Sequence, residues 1–410
     1  MRIGDFCKTN LRTYSEKEKW SEIHYLDTGN ITRGTIGEIQ TLVPGTDTIP
    51  SRARRKVQIN DIIYSTVRPN QRHYGIIKSH DPNMLVSTGF VVITVDPQIA
   101  DPDFIYYYLT RDDVVEMLEA IGEQSTSAYP SIKPVDIENL EIELPPLEVQ
   151  KIAGAFLRQL DKKCSVNDAI NDNLQEQARA LFYEWFIKTP QNCATKETEL
   201  GVLPADYSVV KTGELPLIVT DYVANGSFAS LKENVQLYQE RNYAYFIRNT
   251  DLKAGTFEVF VDEHSYNFLA KSRLFGGEII ISNVGDVGSV FLCPKLDAPM
   301  TLGNNIIMLK PSQDELRYYL YIWFKWSMGQ GLMQGIKGGS AQPKFNKTDF
   351  KSLPVILPPQ DILHRFHETV RPMFESIDNN QSENRRLALL RYTILPKLMS
   401  GEIDVSDIDI

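Results

Sequence analysis

The sequence is poor in cysteine, with four in 410 residues, at Cys7, Cys164, Cys193 and Cys293. They show no CxxC spacing and no histidine partner, so free thiols in a reducing cytoplasm are expected rather than a metal site. No apolar run is long enough to span a bilayer, and Met1-Arg2-Ile3-Gly4-Asp5 opens no apolar signal region. A cytoplasmic chain with no membrane partner is expected. Positive charge is short too: 43 Lys and Arg stand against 53 Asp and Glu, a formal net charge of −10. That excludes a basic coat over the whole surface, so any nucleic-acid contact must be local.

Catalytic signatures are also missing. There is no GxxxxGK[ST], and Gly335-Ile336-Lys337-Gly338-Gly339-Ser340 has glycine and lysine in the wrong order for a phosphate loop. GxSxG, HExxH and a Rossmann fingerprint opening a helix are absent. So is the Asn-Pro-Pro-aromatic segment that holds an extruded base in amino-methyltransferases. His364 and His367 lie on one helix start and read as surface or seam-edge residues. These absences favour a binding protein with no catalytic residue and no metal.

What is present is a chain written twice. At 42% hydrophobic and 23% charged it is globular in composition, and 410 residues exceed one ordinary core. Leu144-Pro145-Pro146-Leu147-Glu148 returns as Leu357-Pro358-Pro359-Gln360-Asp361, an offset of 213. Each prolyl pair precedes a long helical pattern with an acidic first turn. Alternating steps of four and three from Ala153 visit Leu157, Leu160, Cys164, Asn167, Asn171, Leu174, Ala178, Leu181 and Trp185. The same offset gives Phe366, Val370, Met373, Ile377, Asn380, Asn384, Leu387, Arg391, Ile394 and Leu398. This is a coiled-coil seam, and each helix predicts a span of about 60 Å. Antiparallel packing pairs Asn167 with Asn384 and Asn171 with Asn380, so amides meet amides and fix register. Arg391 is the least apolar seam position and is expected at an exposed edge.

The domains before the helices also repeat. Asn30–Thr35 echoes Asp251–Thr256, Asp61–Val67 echoes Glu278–Val284, and Gly89–Ile93 echoes Gly303–Ile307. Ser127, Ala128, Pro130, Asp136, Leu140 and Leu144 recur as Ser340, Ala341, Pro343, Asp349, Leu353 and Leu357. The matched blocks are short, β-branched and bounded by Gly, Pro or Asn, as strands are. Helical segments are expected over 102–121 and 313–333, with core aromatics at Tyr106-Tyr107-Tyr108, Tyr318-Tyr319 and Trp323. Thr189-Pro190 is expected to end the first long helix, and 191–199 reads as a linker.

Cations cluster at repeated points. Arg52, Arg54, Arg55 and Lys56 precede an expected strand opening at Val57, and Arg54 and Lys56 correspond to Lys271 and Arg273 before Leu274. Arg68, Arg72 and Lys78 follow the next strand, while Lys337 and Lys344 flank the second copy's glycine-rich loop. Such residues neutralise phosphates, and arginine also reads guanine edges. Isolated basic turn residues are often ordinary surface; the doubling favours a DNA role.

Over nearly its whole length the chain resembles the specificity subunit of type I restriction–modification systems. The most specific part is Ser-Ala-x-Pro followed by Leu-Pro-Pro, at 127–150 and again from Gly339 to Pro359, with Leu395-Pro396-Lys397-Leu398-Met399-Ser400-Gly401 at the end. The first copy has Thr126 where a glycine is common. The resemblance implies an α+β fold of two pseudo-twofold-related target recognition domains and two long antiparallel helices forming a coiled coil. The divisions are 1–145 (first recognition domain), 146–188 (central helix), 189–357 (linker and second recognition domain), 358–400 (C-terminal helix) and 401–410 (tail). It further implies double-stranded DNA with a bipartite target as ligand, read by one domain per half, with the helices as a ruler for the unread spacer. Two modification subunits methylating adenine N6 and restriction subunits are the implied partners. S-adenosylmethionine, ATP and magnesium belong to those partners, and no cofactor is expected on this chain. Two alternatives stay open: a duplicated protein–protein scaffold without DNA specificity, and a stand-alone DNA methyltransferase.

Overall fold

The computed structural model describes residues 1–79, 81–125, 129–188, 193–339, 342–399 and 402–403. The chain divides into two compact units, Met1–Cys164 with the chain from Arg386 onward, and Ser165–Arg385. Both boundaries fall inside long helices.

The first unit holds strands β1 (Cys7–Thr9), β2 (Ile23–Leu26), β3 (Gln40–Leu42), β4 (Ala53–Lys56), β5 (Ile62–Ser65), β6 (Tyr74–Ile76), β7 (Met84–Ser87) and β8 (Phe90–Val95). One sheet has the order β1-β8-β5-β6 and is antiparallel throughout. The other has the order β3-β2-β7-β4, with β2 and β7 parallel. The second unit holds β9 (Leu217–Asp221), β10 (Leu237–Tyr238), β11 (Ala244–Ile247), β12 (Phe260–Val261), β13 (Arg273–Leu274), β14 (Ile279–Ser282), β15 (Val290–Leu292), β16 (Met300–Leu302) and β17 (Ile306–Pro311). Its sheets run β9-β17-β14-β15 and β10-β12-β11-β16-β13, with β11 and β16 parallel. The topology is the same, with one added edge strand, β10.

The reason is visible in β8 and β17. Both open with continuous apolar runs, Phe90–Ile93 and Ile306–Leu309, as strands covered on two faces do. Val91 and Ile93 face one cluster with Ile62 and Tyr64, while Phe90 and Val92 face another with Leu26 and Val86. Ile307 and Leu309 alternate with Ile306 and Met308 in the same manner.

Helices α1 (Pro102–Leu109), α2 (Asp112–Glu123) and α3 (Leu147–Phe182) follow in the first copy, and α4 (Glu315–Lys325), α5 (Ser327–Gly335) and α6 (Gln360–Met399) in the second. The single helix expected over 102–121 is broken at Thr110 and Arg111, and that over 313–333 at Trp326, whose extended backbone ends the turn. Asp101 caps α1 by accepting from Phe104 N at 2.9 Å. Buried Gln150 accepts from Asp101 N at 3.0 Å and donates to the Pro145 carbonyl at 2.8 Å, tying the start of α3 to α1.

Each unit has its own stretch of both long helices in its core. Ala153, Leu157, Leu395 and Leu398 pack in the first, and Ala178, Phe182, Phe366, Val370 and Ile377 in the second. No seam position is exposed. In the second unit, Asn167 meeting Asn384 and Asn171 meeting Asn380 give the helices an antiparallel sense, and in the first unit Asp161 meets Arg391. Arg391 is therefore not at an exposed edge. Burial opposes its charge, but Asp161 at 2.7 Å, with Tyr107 and Tyr106 adding to it, raises its pKa. His367 is also buried, stacked on Tyr318 at 5.3 Å between ring centres.

Three further expectations change. Asn30 closes a one-turn helix that leads into a hairpin (Ile31–Thr32 with Thr35–Ile36), whereas Asp251 lies inside the helix Asn249–Ala254. The two segments occupy the same place after β2 and β11 but not the same conformation. The expected linker contains a strand, Thr195–Thr198, paired with Gly201–Pro204. α3 passes into a π-helical turn, Tyr183–Ile187. The repeated Ser127, Ala128, Ser340 and Ala341, the Thr189-Pro190 stop, and Ser400-Gly401 lie outside the described residues.

Candidate nucleic-acid interface

The loops at one edge of the sheets share a backbone frame in both units. In the first, Thr66 N donates to Gly89 O at 2.8 Å, Arg68 N to Pro130 O at 2.9 Å and Ile132 N to Thr66 O at 2.9 Å. In the second, Asn283 N donates to Asn305 O at 3.1 Å, Gly285 N to Pro343 O at 2.9 Å and Phe345 N to Asn283 O at 3.0 Å. The first frame extends further: Thr88 N donates to Arg52 O and Arg33 N to Arg72 O, both at 2.8 Å. These bonds bring Arg33, Arg52, Arg68 and Arg72 together from three loops.

The cations divide into two kinds. Arg54, Arg55 and Lys56 do not precede a strand; they are in β4, beside an irregularity in its pairing with β7. Arg54 pairs with Glu16 at 2.9 Å, and Lys56 pairs with Glu18 and lies 5.2 Å over Trp20. Arg55 is half-buried, which lowers its pKa, and its Nε has no partner among the described residues. Arg72 pairs with Asp112 at 2.6 Å and Lys78 with Asp103 at 2.6 Å. Arg273 is the first residue of β13, where its guanidinium lies 4.4 Å over Tyr266 and reaches Asn267 at 2.8 Å. The second kind is exposed and, among the described residues, makes no ion pair: Arg52, Arg68, Lys271, Lys337 and Lys344. Lys344 is held by reciprocal backbone bonds with Gly338, at 2.8 and 2.9 Å.

Sequence reasoning missed Arg33. It is exposed, at φ 48°, followed by Gly34 at φ 83°, so Thr32–Thr35 is a two-residue hairpin turn with both central residues left-handed. Arg-Gly between Ile31-Thr32 and Thr35-Ile36 was the available signal.

The amides of the helix seam lie within the second unit. Asn167 donates to Asn384 Oδ1 and to Glu383 Oε2, each at 2.8 Å, and Asn384 donates to Asp168 Oδ1 at 2.8 Å. Asn380 donates to Asn171 Oδ1 at 2.9 Å. The layer is lopsided: Asn167 and Asn171 are buried, while Asn380 and Asn384 are half-buried. Burial raises the pKa of Asp168, with Asp172 adding to the effect and the Asn384 bond opposing it.

A family profile described as Type I restriction modification DNA specificity domain matches residues 1–176 and 206–390. The chain belongs to the type I restriction–modification DNA specificity family. Among family relatives, the HindI specificity subunit of Haemophilus influenzae is 23% identical, over 98% of this chain and 98% of its own length. The MjaIX specificity subunit of Methanocaldococcus jannaschii is 28% identical over 75% of this chain and 70% of its own. In fold, the chain resembles the crystal structure of a type I restriction–modification S subunit from M. genitalium. The TM-score is 0.54 at 16% identity, covering 97% of this chain and 95% of that one. None of the described helices of this family member is long and apolar enough to cross a membrane.

Proposed function

We propose that this specificity subunit reads a bipartite duplex target, one half-site per recognition domain, and catalyses nothing itself. The observation that carries the reading is the loop frame, built twice on the same hydrogen bonds and carrying exposed cations in each copy: Arg52 and Arg68 in one, Lys337 and Lys344 in the other. Exposed cations on a fixed frame neutralise phosphates and set register on the duplex. The side chains on that frame differ between copies, so the two half-sites differ in sequence. In this reading modification subunits dock on the chain and supply S-adenosylmethionine for adenine N6 methylation. Restriction subunits supply ATP- and magnesium-dependent cleavage. The seam amides fix helix register.

Binding of the full chain, assembled with the modification subunit of its own system, to duplexes of varied sequence tests this. Sequence-selective binding whose affinity falls steeply with salt is expected. Binding without sequence preference, or the same preference with the modification subunit alone, would refute it.

A further inference from the structure

The loop frame contains two arginines in a backbone conformation that disfavours any side chain. Arg68 sits at φ 48° and Arg72 at φ 58°. At the same points of the second frame stand Gly285, at φ 77°, and Gly288, at φ 98°. Glycine adopts this backbone without strain, so neither turn requires an arginine. For Arg72 the side chain has a local use, the ion pair to Asp112 on α2 at 2.6 Å. Arg68 has none of that kind: it is exposed, and no carboxylate among the described residues pairs with it. Its guanidinium instead lies 4.9 Å over the ring of Tyr129, which is 58% exposed. Strain held at an exposed, unpaired, pre-oriented side chain is a signature of function rather than stability.

We propose that Arg68, stacked on Tyr129, is a specificity-determining residue that reads a guanine in the half-site of the first recognition domain. The inference rests on the DNA-reading function above. Stacking occupies the face of the guanidinium and leaves its N–H edge, which matches the O6 and N7 acceptors of guanine in two parallel bonds. The glycine at the equivalent point means that the second half-site is read without this contact.

The test uses the full chain with its modification subunit and duplexes carrying its mapped target. Arg68→Gly is expected to weaken target binding by about 10- to 100-fold, the range of one bidentate arginine–guanine contact. The loss should be confined to one half-site, with thermal stability unchanged or raised. Replacing one guanine of that half-site by 7-deazaguanine should weaken wild type by about tenfold and leave Arg68→Gly unaffected. Arg68→Lys should keep the salt dependence of binding and lose the preference for guanine. A uniform loss on target and non-target duplexes would make Arg68 a phosphate contact and overturn the inference, as would unchanged binding by Arg68→Gly. Absence of any sequence preference in wild type would instead overturn the proposed function itself.

Discussion

Alanine at Asn167 should cost clearly more stability than alanine at Asn171, although the sequence makes the two positions look equivalent. Asn167 donates two bonds at 2.8 Å, one to the carboxylate of Glu383 and one to the amide of Asn384. Asn171 accepts one, from Asn380 at 2.9 Å. A neutral bond contributes about 0.5–1.5 kcal/mol and one to a charged group about 1.5–3. The sums are about 2–4.5 kcal/mol at Asn167 and about 1 at Asn171. Both are buried mid-helix positions, so the gain in helix propensity from Asn to Ala is similar and cancels in the comparison. The partners left behind, Asn380, Asn384 and Glu383, are half-buried and reach water, which keeps both costs near the lower ends. The expected difference is about 1–2 kcal/mol. Urea unfolding reports it, with labelling of Cys293 followed by mass. That thiol is 3% exposed and lies in the same unit as both amides. The Asn167→Ala/Asn384→Ala double mutant should show coupling of about 1 kcal/mol. Equal costs at the two positions, or a larger cost at Asn171, would refute the asymmetric layer.

Two further outcomes are expected. Burial lowers the pKa of His367 below its ordinary 6.5, with Arg317 adding to this and Asp314, Glu368 and Glu315 opposing it. A histidine favoured in its neutral form stabilises the fold fully above its unfolded pKa, because the unfolded chain binds the proton more readily. Stability of the second unit should therefore fall as pH drops below about 6.5. His367→Phe, which keeps the stacking on Tyr318, should flatten that slope in urea midpoints measured across pH. Among the loop cations, Lys344→Ala should reduce the salt slope of duplex binding by about one. Arg54→Ala should reduce it less, since Glu16 already holds that guanidinium; a larger effect for Arg54 in salt titrations would contradict the division into paired and exposed cations.

The repeat made much of the fold legible. The short β-branched blocks at Gly89–Ile93 and Gly303–Ile307, and the seam with two central asparagines, came from an internal repeat and a seven-residue period that local residues carry. The cation sites were less legible, because what distinguishes them lies elsewhere in the chain. Glu16 and Glu18 are 38 residues before Arg54 and Lys56, and Asp112 is 40 after Arg72. No local pattern reveals which arginines are already neutralised. The backbone at Arg68 was hidden because a left-handed turn is usually signalled by Gly or Asn, and arginine gives no such sign. His367 was misread because its helix start looked polar, whereas Tyr318, 49 residues earlier, stacks on it. A net charge of −10 is compatible with local DNA contact, because the exposed cations of the loop frame act over short range.

Sequencing of methylated sites in cells expressing this chain with its own modification subunit tests the central claim most directly. A two-part motif is expected, with Arg68→Gly altering one part and leaving the other unchanged. A single continuous motif, or a change across both parts from a substitution in one recognition domain, would contradict it.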